Sequence, residues 1–192
     1  VKSCAEVIDE MDIAEKISWG GSAGCTGFSS FITEFDSFNS PHGRSPVVAT
    51  GFKRCNPDSV VVLYQGDGDA YVIGLAETLN AAYRNEPITV FIINNNNFAM
   101  TGGQMSWTTM PGQVTTTSVH GRDPALTGMP IRVPEFAATF PDVAYVARGS
   151  VHSAKEINRL KGYVRNAIEA QLNGEGYSMV EVLCQCPTNW GM

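Results

Sequence analysis

Residues 60–64, Val-Val-Val-Leu-Tyr, are apolar at every position rather than at every second one. An alternating strand can leave one face in water, whereas a strand that is apolar throughout must be covered on both faces. A helical pattern follows over about Ala70 to Arg84, and then a second apolar run from Ile88 to Ile93. This reads as a β-α-β unit. Val143 to Val146 reads as a further strand. Ser153 with Glu156 makes a capping box before Ile157, Leu160, Val164 and Ile168 on one helical face, Asn173-Gly174 ends that helix, and Met179 to Leu183 reads as a last strand. Strands separated by helices predict an α/β fold with a mostly parallel sheet and helices on both faces. With 192 residues, 43% hydrophobic and 17% charged, a single domain over 1–192 is expected. Thr101 to Val133 breaks the pattern. It is rich in Gly, Thr, Pro and Met and has no period. Long irregular segments in compact domains tend to be functional or disordered, and this one directly follows a run of asparagines, which favours function.

A net charge of -6 and a pI near 5 provide no basic field for phosphate backbones or anionic lipid, so neither nucleic acid nor a membrane is expected as a partner. No apolar run approaches the ~20 residues of a spanning helix, and the first residues lack the charged and apolar regions of a signal peptide. A cytoplasmic location is expected. The chain opens without methionine inside a helical pattern (Ala5, Val7, Ile8, Met11), which sets the expectation that the natural N-terminus lies upstream. Five cysteines, Cys4, Cys25, Cys55, Cys184 and Cys186, are an odd number in a chain too long to need staples. They point to reduced thiols or metal ligands rather than a disulfide framework.

Two motifs stand at the carboxyl ends of successive predicted strands: Gly66-Asp67-Gly68-Asp69 and Asn94-Asn95-Asn96-Asn97. Ligands of open α/β sheets bind at that end. The 28 residues from Asp67 to Asn95 match one β-α-β unit of about 30, and paired strands would bring the motifs within ~5 Å. A carboxylate facing bare diphosphate would repel it, and Tyr71 stands where a dinucleotide fingerprint needs its third glycine. A hard cation resolves the conflict. Mg²⁺ combines one or two protein groups with phosphate oxygens and water. Asp67 would supply charge, the Asn95 amide a neutral oxygen, and a backbone carbonyl near Asn97 a third. Gly66 and Gly68 would let a diphosphate approach backbone amides.

That combination is similar to the thiamine diphosphate motif. The segments HGRSPVVATGFK (His42 to Lys53), YQGDGDAYVIG, NNNNFAMTGGQMSWTT (Asn94 to Thr109), TTTSVHGRDP and EVLCQCPTNWG resemble, in order, the β subunit of 2-oxoacid:ferredoxin oxidoreductases, most of all the 2-oxoisovalerate type. The resemblance covers nearly the whole chain. It implies Asp67, Asn95 and the Asn97 carbonyl as Mg²⁺ ligands. It places Gly66, Gly68, Phe98, Thr101 and Gly102 at the cofactor, Asp69 and His42 near the diphosphate, and the Thr101-Gly102-Gly103-Gln104 loop beside the active site. Cys25 and Cys186 match two of four ligands of a [4Fe-4S] cluster. The other two form a Cys-x-x-Cys pair that this sequence does not contain, so either the pair precedes Val1 or the cluster is lacking. Cys4, Cys55 and Cys184 match no ligand and read as small buried hydrophobes, and His120 and His152 read as surface residues.

The implied reaction is coenzyme A-dependent oxidative decarboxylation of a small 2-oxo acid, with electrons passed to ferredoxin. The glutamate that activates thiamine in this family belongs to another domain, so a pyrimidine-domain (α) subunit, with or without further subunits, is the implied partner. No catalytic side chain is identified in this chain. Phe28 and Met100, with Thr101, are the pocket candidates; being apolar, Phe28 and Met100 predict branched-chain substrates over 2-oxoglutarate, with packing in the core as their alternative. Two other functions stay open: the diphosphate-binding subunit of a non-redox thiamine-dependent decarboxylase or synthase, and a silent binding module of the same fold.

Overall fold

The computed structural model describes residues 1–190. Gly191, the last letter of the EVLCQCPTNWG segment, lies outside them. Along the chain come α1 (Lys2–Glu10), β1 (Ile17–Ser22), β2 (Asp36–Ser40), α2 (Ser45–Cys55), β3 (Val60–Gly66), α3 (Leu75–Tyr83), β4 (Thr89–Asn94), β5 (Asn97–Phe98), β6 (Gln104–Met105), α4 (Pro124–Thr127), α5 (Val133–Ala137), β7 (Tyr145–Ser150), α6 (Ala154–Leu172), β8 (Ser178–Leu183) and α7 (Pro187–Trp190). Six strands form one sheet in the order β2-β1-β3-β4-β8-β7, parallel at every pairing. The β5-β6 ribbon is a separate antiparallel pair.

Two apolar layers explain the unbroken strand runs. Val60, Val62 and Tyr64 of β3 pack with Trp19, Phe91, Val164 and Ile168 on one face. Val61 and Leu63 pack with Val90, Ile92, Tyr71 and Met179 on the other. Both faces of the sheet are therefore covered, as the sequence pattern predicts.

The differences from the sequence reading have local causes. Strands β1 and β2 carry no apolar run: β1 reads Ile-Ser-Trp-Gly-Gly-Ser, and β2 is an edge strand with three of five residues exposed. At Gly20 a Cβ would collide with Leu63 and Phe38, so close packing rather than propensity selects the glycine. The helix expected over 70–84 is broken. Asp69–Ile73 forms one π turn before α3, because Gly74 lies against the backbone of Gly43 with no room for a side chain at either position. Strand β7 starts two residues after Val143 and runs through Arg148 and Gly149. Arg148 is there to meet Glu181 in register on β8, a pairing that no one-strand pattern reveals. Ser153 caps α6 as expected, accepting from the Glu156 amide at 3.3 Å. Among the described residues no helix is long and apolar enough to cross a membrane.

Candidate functional site

Strands β3 and β4 are direct neighbours with Gly66 in register with Ile93, so the Asp67 turn and the asparagine run open side by side. Between them lies a cleft of about 260 Å³ that Cys25, Phe28, His42, Gly66, Asp67, Gly68, Asp69, Asn95, Asn97, Phe98, Met100 and Thr101 all help to line. Gly102 instead faces a neighbouring hollow with Asn97, Gly103 and Asn189. Phe28 is 59% and Met100 47% exposed, so both stand on the cleft wall and neither packs in the core.

Asp67 is buried, yet among the described residues no basic side chain pairs with it. Its Oδ2 accepts from Ser106 Oγ at 2.6 Å and from Thr108 Oγ1. Burial pushes the carboxyl above the usual range, against the pull of those two hydroxyls and of the Asn95 and Asp67 amides. A buried carboxylate held by neutral donors alone is a cost to the fold that a cation would offset.

The asparagines form a folded loop rather than a solvated one. Asn94 Oδ1 accepts from the Asn96 amide at 3.1 Å and Asn95 Oδ1 from the Asn97 amide at 3.2 Å, two successive Asx turns. Asn96 takes a positive φ of 64°, held by Thr109 Oγ1 on its carbonyl at 2.6 Å and by its own Nδ2 on the Thr108 carbonyl at 3.1 Å. Asn97 Oδ1 is buried without a hydrogen-bond partner among the described residues.

Asp69 plays a different part from Asp67. Its Oδ1 accepts from Ser22 Oγ at 2.6 Å, His42 Nδ1 at 2.6 Å and the Gly43 amide at 2.7 Å, and its Oδ2 from Gln65 Nε2 at 2.6 Å. Both oxygens are engaged, so Asp69 locks the π turn to β1 and to the His42 loop while still lining the cleft. Gly66 lines the cleft, and a Cβ there would meet nothing within 4 Å, whereas at Gly68 it would strike the Phe98 ring. The first glycine thus leaves open space against bare backbone, and the second permits close packing. Gln104 folds back onto Thr101, accepting from its Oγ1 at 2.6 Å and donating to its carbonyl at 2.7 Å.

The residues fit a hard cation held together with phosphate: one carboxylate, a neighbouring amide and, at Asn97, an unpartnered buried side-chain oxygen next to the backbone carbonyl that the sequence nominates. Among the described residues no group of three or more His, Cys, Asp or Glu gathers, so these residues alone complete neither an all-carboxylate nor an all-thiolate site. A four-thiolate cluster does not fit the described residues alone. Cys25 is exposed, and its thiol is pushed up by partial burial and then by the charge of Cys186. Cys4 is buried as read, with its thiol pushed up to about 11 by burial. Cys184 is half-buried and also pushed up to about 11, first by burial and then by the charge of Asp67. Cys55 is exposed at the end of α2 and not the buried hydrophobe expected. His120 and His152 are exposed.

Sequence reasoning did not find Ser106 and Thr108, which hold Asp67, nor Ser22 and Gln65, which hold Asp69. The irregular segment announced that something in 101–133 mattered, but no spacing says which hydroxyl turns toward Asp67. Glu181 did leave a signal, as an acid inside the otherwise apolar run Met179 to Leu183.

Residues 19–182 match the family of the thiamine pyrophosphate enzyme C-terminal TPP binding domain. Over 188 residues the chain is 42% identical to the ketoisovalerate oxidoreductase subunit VorA of Methanothermobacter thermautotrophicus, covering 98% of this chain and 39% of that one. Over 166 residues it is 34% identical to the 2-oxoglutarate synthase subunit KorB of Archaeoglobus fulgidus, covering 86% and 58% respectively. It shares the fold of the 2-oxoglutarate:ferredoxin oxidoreductase from Magnetococcus marinus solved with 2-oxoglutarate, coenzyme A and succinyl-CoA bound, with a TM-score of 0.85 and 24% identity over 97% of this chain and 60% of that one. The chain thus spans 39% and 58% of the length of these two curated relatives.

Proposed function

This chain belongs to the family of thiamine pyrophosphate enzyme C-terminal TPP binding domains, and from that premise we propose that it is the diphosphate-binding part of a cytoplasmic 2-oxoacid:ferredoxin oxidoreductase, as one domain over 1–192. The observation that carries the reading is Asp67, a buried carboxylate without a basic partner, set beside the Asn95-Asn97 loop and the bare backbone of Gly66. Asp67, the Asn95 amide and the Asn97 carbonyl would hold Mg²⁺, whose charge would let a diphosphate lie beside the Asp67 carboxylate. When bound, thiamine diphosphate supplies the carbon nucleophile and electron sink for decarboxylating a 2-oxo acid.

The chain's own residues bind and orient. Ser106 and Thr108 hold one Asp67 oxygen so that the other turns to the metal. His42, fixed by Asp69, lines the cleft where a diphosphate would lie. Phe28 and Met100 form an apolar wall that favours a branched alkyl group over a second carboxylate, since an unpaired buried carboxylate costs several kcal/mol; the 42% identity to a ketoisovalerate enzyme subunit, against 34% to a 2-oxoglutarate one, supports that preference. Cys25 and Cys186 would be two thiolates of a [4Fe-4S] site. Phe31 and Ile32, both exposed beside Phe28, support a covering pyrimidine-domain subunit. Ferredoxin and coenzyme A are the remaining partners.

The test is calorimetric titration of thiamine diphosphate, with and without Mg²⁺, into the full natural chain and its co-purifying subunits. Metal-dependent binding is expected, together with reduction of ferredoxin when a 2-oxo acid and coenzyme A are added. Binding without iron or electron transfer would leave a non-redox thiamine enzyme, and no binding at all would leave a silent module.

A further inference from the structure

This inference rests on the reading of Asn95 and Asn97 as metal ligands, and it concerns what aims them. Glu181 stands in the middle of β8, in register with Ile92 of β4 and Arg148 of β7, and is buried. An acid in the interior of a sheet needs both oxygens met. Oε2 accepts from Arg148 Nε, and Oε1 accepts from Asn94 Nδ2 at 3.0 Å. Arg148 is gripped from the other side by Glu135, whose two oxygens accept from Nη1 and Nη2 at 2.6 and 2.8 Å. An ionised carboxylate can only accept, so the Asn94 amide has one orientation open to it: Nδ2 toward Glu181 and Oδ1 toward the loop. That Oδ1 takes the Asn96 amide and stabilises the left-handed turn at Asn96. Reversing the Asn94 amide would set its NH₂ against the Asn96 N-H, donor against donor.

Asn96 is the residue between Asn95 and Asn97, and its turn sets the direction in which both present their oxygens. We propose that Glu181 is a positioning residue for the metal loop: acting through Asn94, it fixes the turn at Asn96 and so aims Asn95 and the Asn97 carbonyl at the cation beside Asp67. Arg148 holds the other oxygen of Glu181, and Glu135 grips Arg148 alone, neither with a hydrogen bond to the loop among the described residues.

The experiment uses the full natural chain with its co-purifying subunits. It reads the Mg²⁺ concentration that half-saturates thiamine diphosphate binding by calorimetry, and Mn²⁺ binding by electron paramagnetic resonance. Glu181→Gln keeps the shape but has one acceptor oxygen for two donors, and the requirement for Mg²⁺ should rise about 10-fold, the lower end of what lost outer partners cost metal sites. At saturating Mg²⁺ the cofactor affinity should return to within about 3-fold of the unsubstituted chain. Asn94→Ala should raise the Mg²⁺ requirement as much, and the double variant should add nothing further, because the two residues act as one unit. Glu135→Gln, which leaves the Glu181-Asn94 bond intact, should leave the requirement unchanged, an outcome that a merely structural ion pair would not give. If Glu181→Gln fails to fold, Asn94→Ala still carries the test. Additive effects, or a folded Glu181→Gln or Asn94→Ala variant with the original Mg²⁺ requirement, overturn the inference alone. An unsubstituted chain that binds no Mg²⁺ with thiamine diphosphate overturns the site reading and this inference with it.

Discussion

Ser106 donates its hydroxyl to the Asp67 carboxylate at 2.6 Å across 39 positions of sequence, and Thr108 reaches the same oxygen. The irregular segment thereby closes over the turn after β3 and decides which Asp67 oxygen is left without a side-chain donor. Ser106→Ala removes one of the two hydroxyls and should raise the Mg²⁺ requirement for cofactor binding roughly 10-fold without loss of fold. A calorimetric titration of Mg²⁺ checks this; an unchanged requirement would show that Thr108 suffices.

Asp67→Asn separates affinity from stability. The folded pKa of Asp67 is raised, chiefly by burial, so the stability this group contributes is present below the unfolded pKa and is lost as pH rises through the folded one. At neutral pH the metal-free Asp67→Asn chain should therefore melt no lower than the natural one, and the difference should close as pH falls toward 4. Thiamine diphosphate affinity should collapse by more than roughly 100-fold, since the only charged protein ligand is gone. Unchanged cofactor binding would remove Asp67 from the metal site.

Two glycines should respond in opposite directions. Gly74 faces the Gly43 backbone with no space for a Cβ, whereas at Gly162, within α6, a Cβ would meet nothing within 4 Å. Gly74→Ala should destabilise by about 1–3 kcal/mol through overpacking, and Gly162→Ala should stabilise by about 0.5–1 kcal/mol through helix propensity. Chemical denaturation of both variants measures the contrast, and a neutral Gly74→Ala would mean that the Gly43-Gly74 backbone contact yields easily.

For the thiols, iron analysis of the full natural chain separates ligands from bystanders. Cys25→Ala and Cys186→Ala should each lower iron content and electron transfer to ferredoxin, because packing cannot replace a thiolate ligand. Cys55→Ala, at an exposed helix end, should do neither. Equal iron in all three variants would refute the cluster assignment.

Substrate choice is read from kcat/KM for 2-oxoisovalerate, pyruvate and 2-oxoglutarate in the assembled enzyme. The branched substrate should lead, and Phe28→Lys should shift the ranking toward 2-oxoglutarate by placing a cation on the cleft wall. An unchanged ranking would assign specificity to the partner subunit.

The sequence by itself determined the β-α-β core and the meeting of Asp67 with the asparagine run, because an unbroken apolar run requires cover on both faces and because the carboxyl ends of adjacent parallel strands must open together. The Ser153 cap and the stop after α6 were equally local and equally legible. Strands β1 and β2 were not, since glycine and small polar residues in them answer to Leu63, Phe38 and the sheet edge rather than to any period of their own. Nor could the sequence assign roles to two carboxylates two residues apart. Asp69 is fully spent on Ser22, His42, Gly43 and Gln65, and Asp67 is left facing the cleft with one oxygen free of side-chain donors. Which acid is structural and which can take a cation was decided by tertiary contacts, because apart from Gln65 the donors that satisfy one and spare the other come from three distant segments of the chain, at Ser22, His42-Gly43 and Ser106 to Thr108.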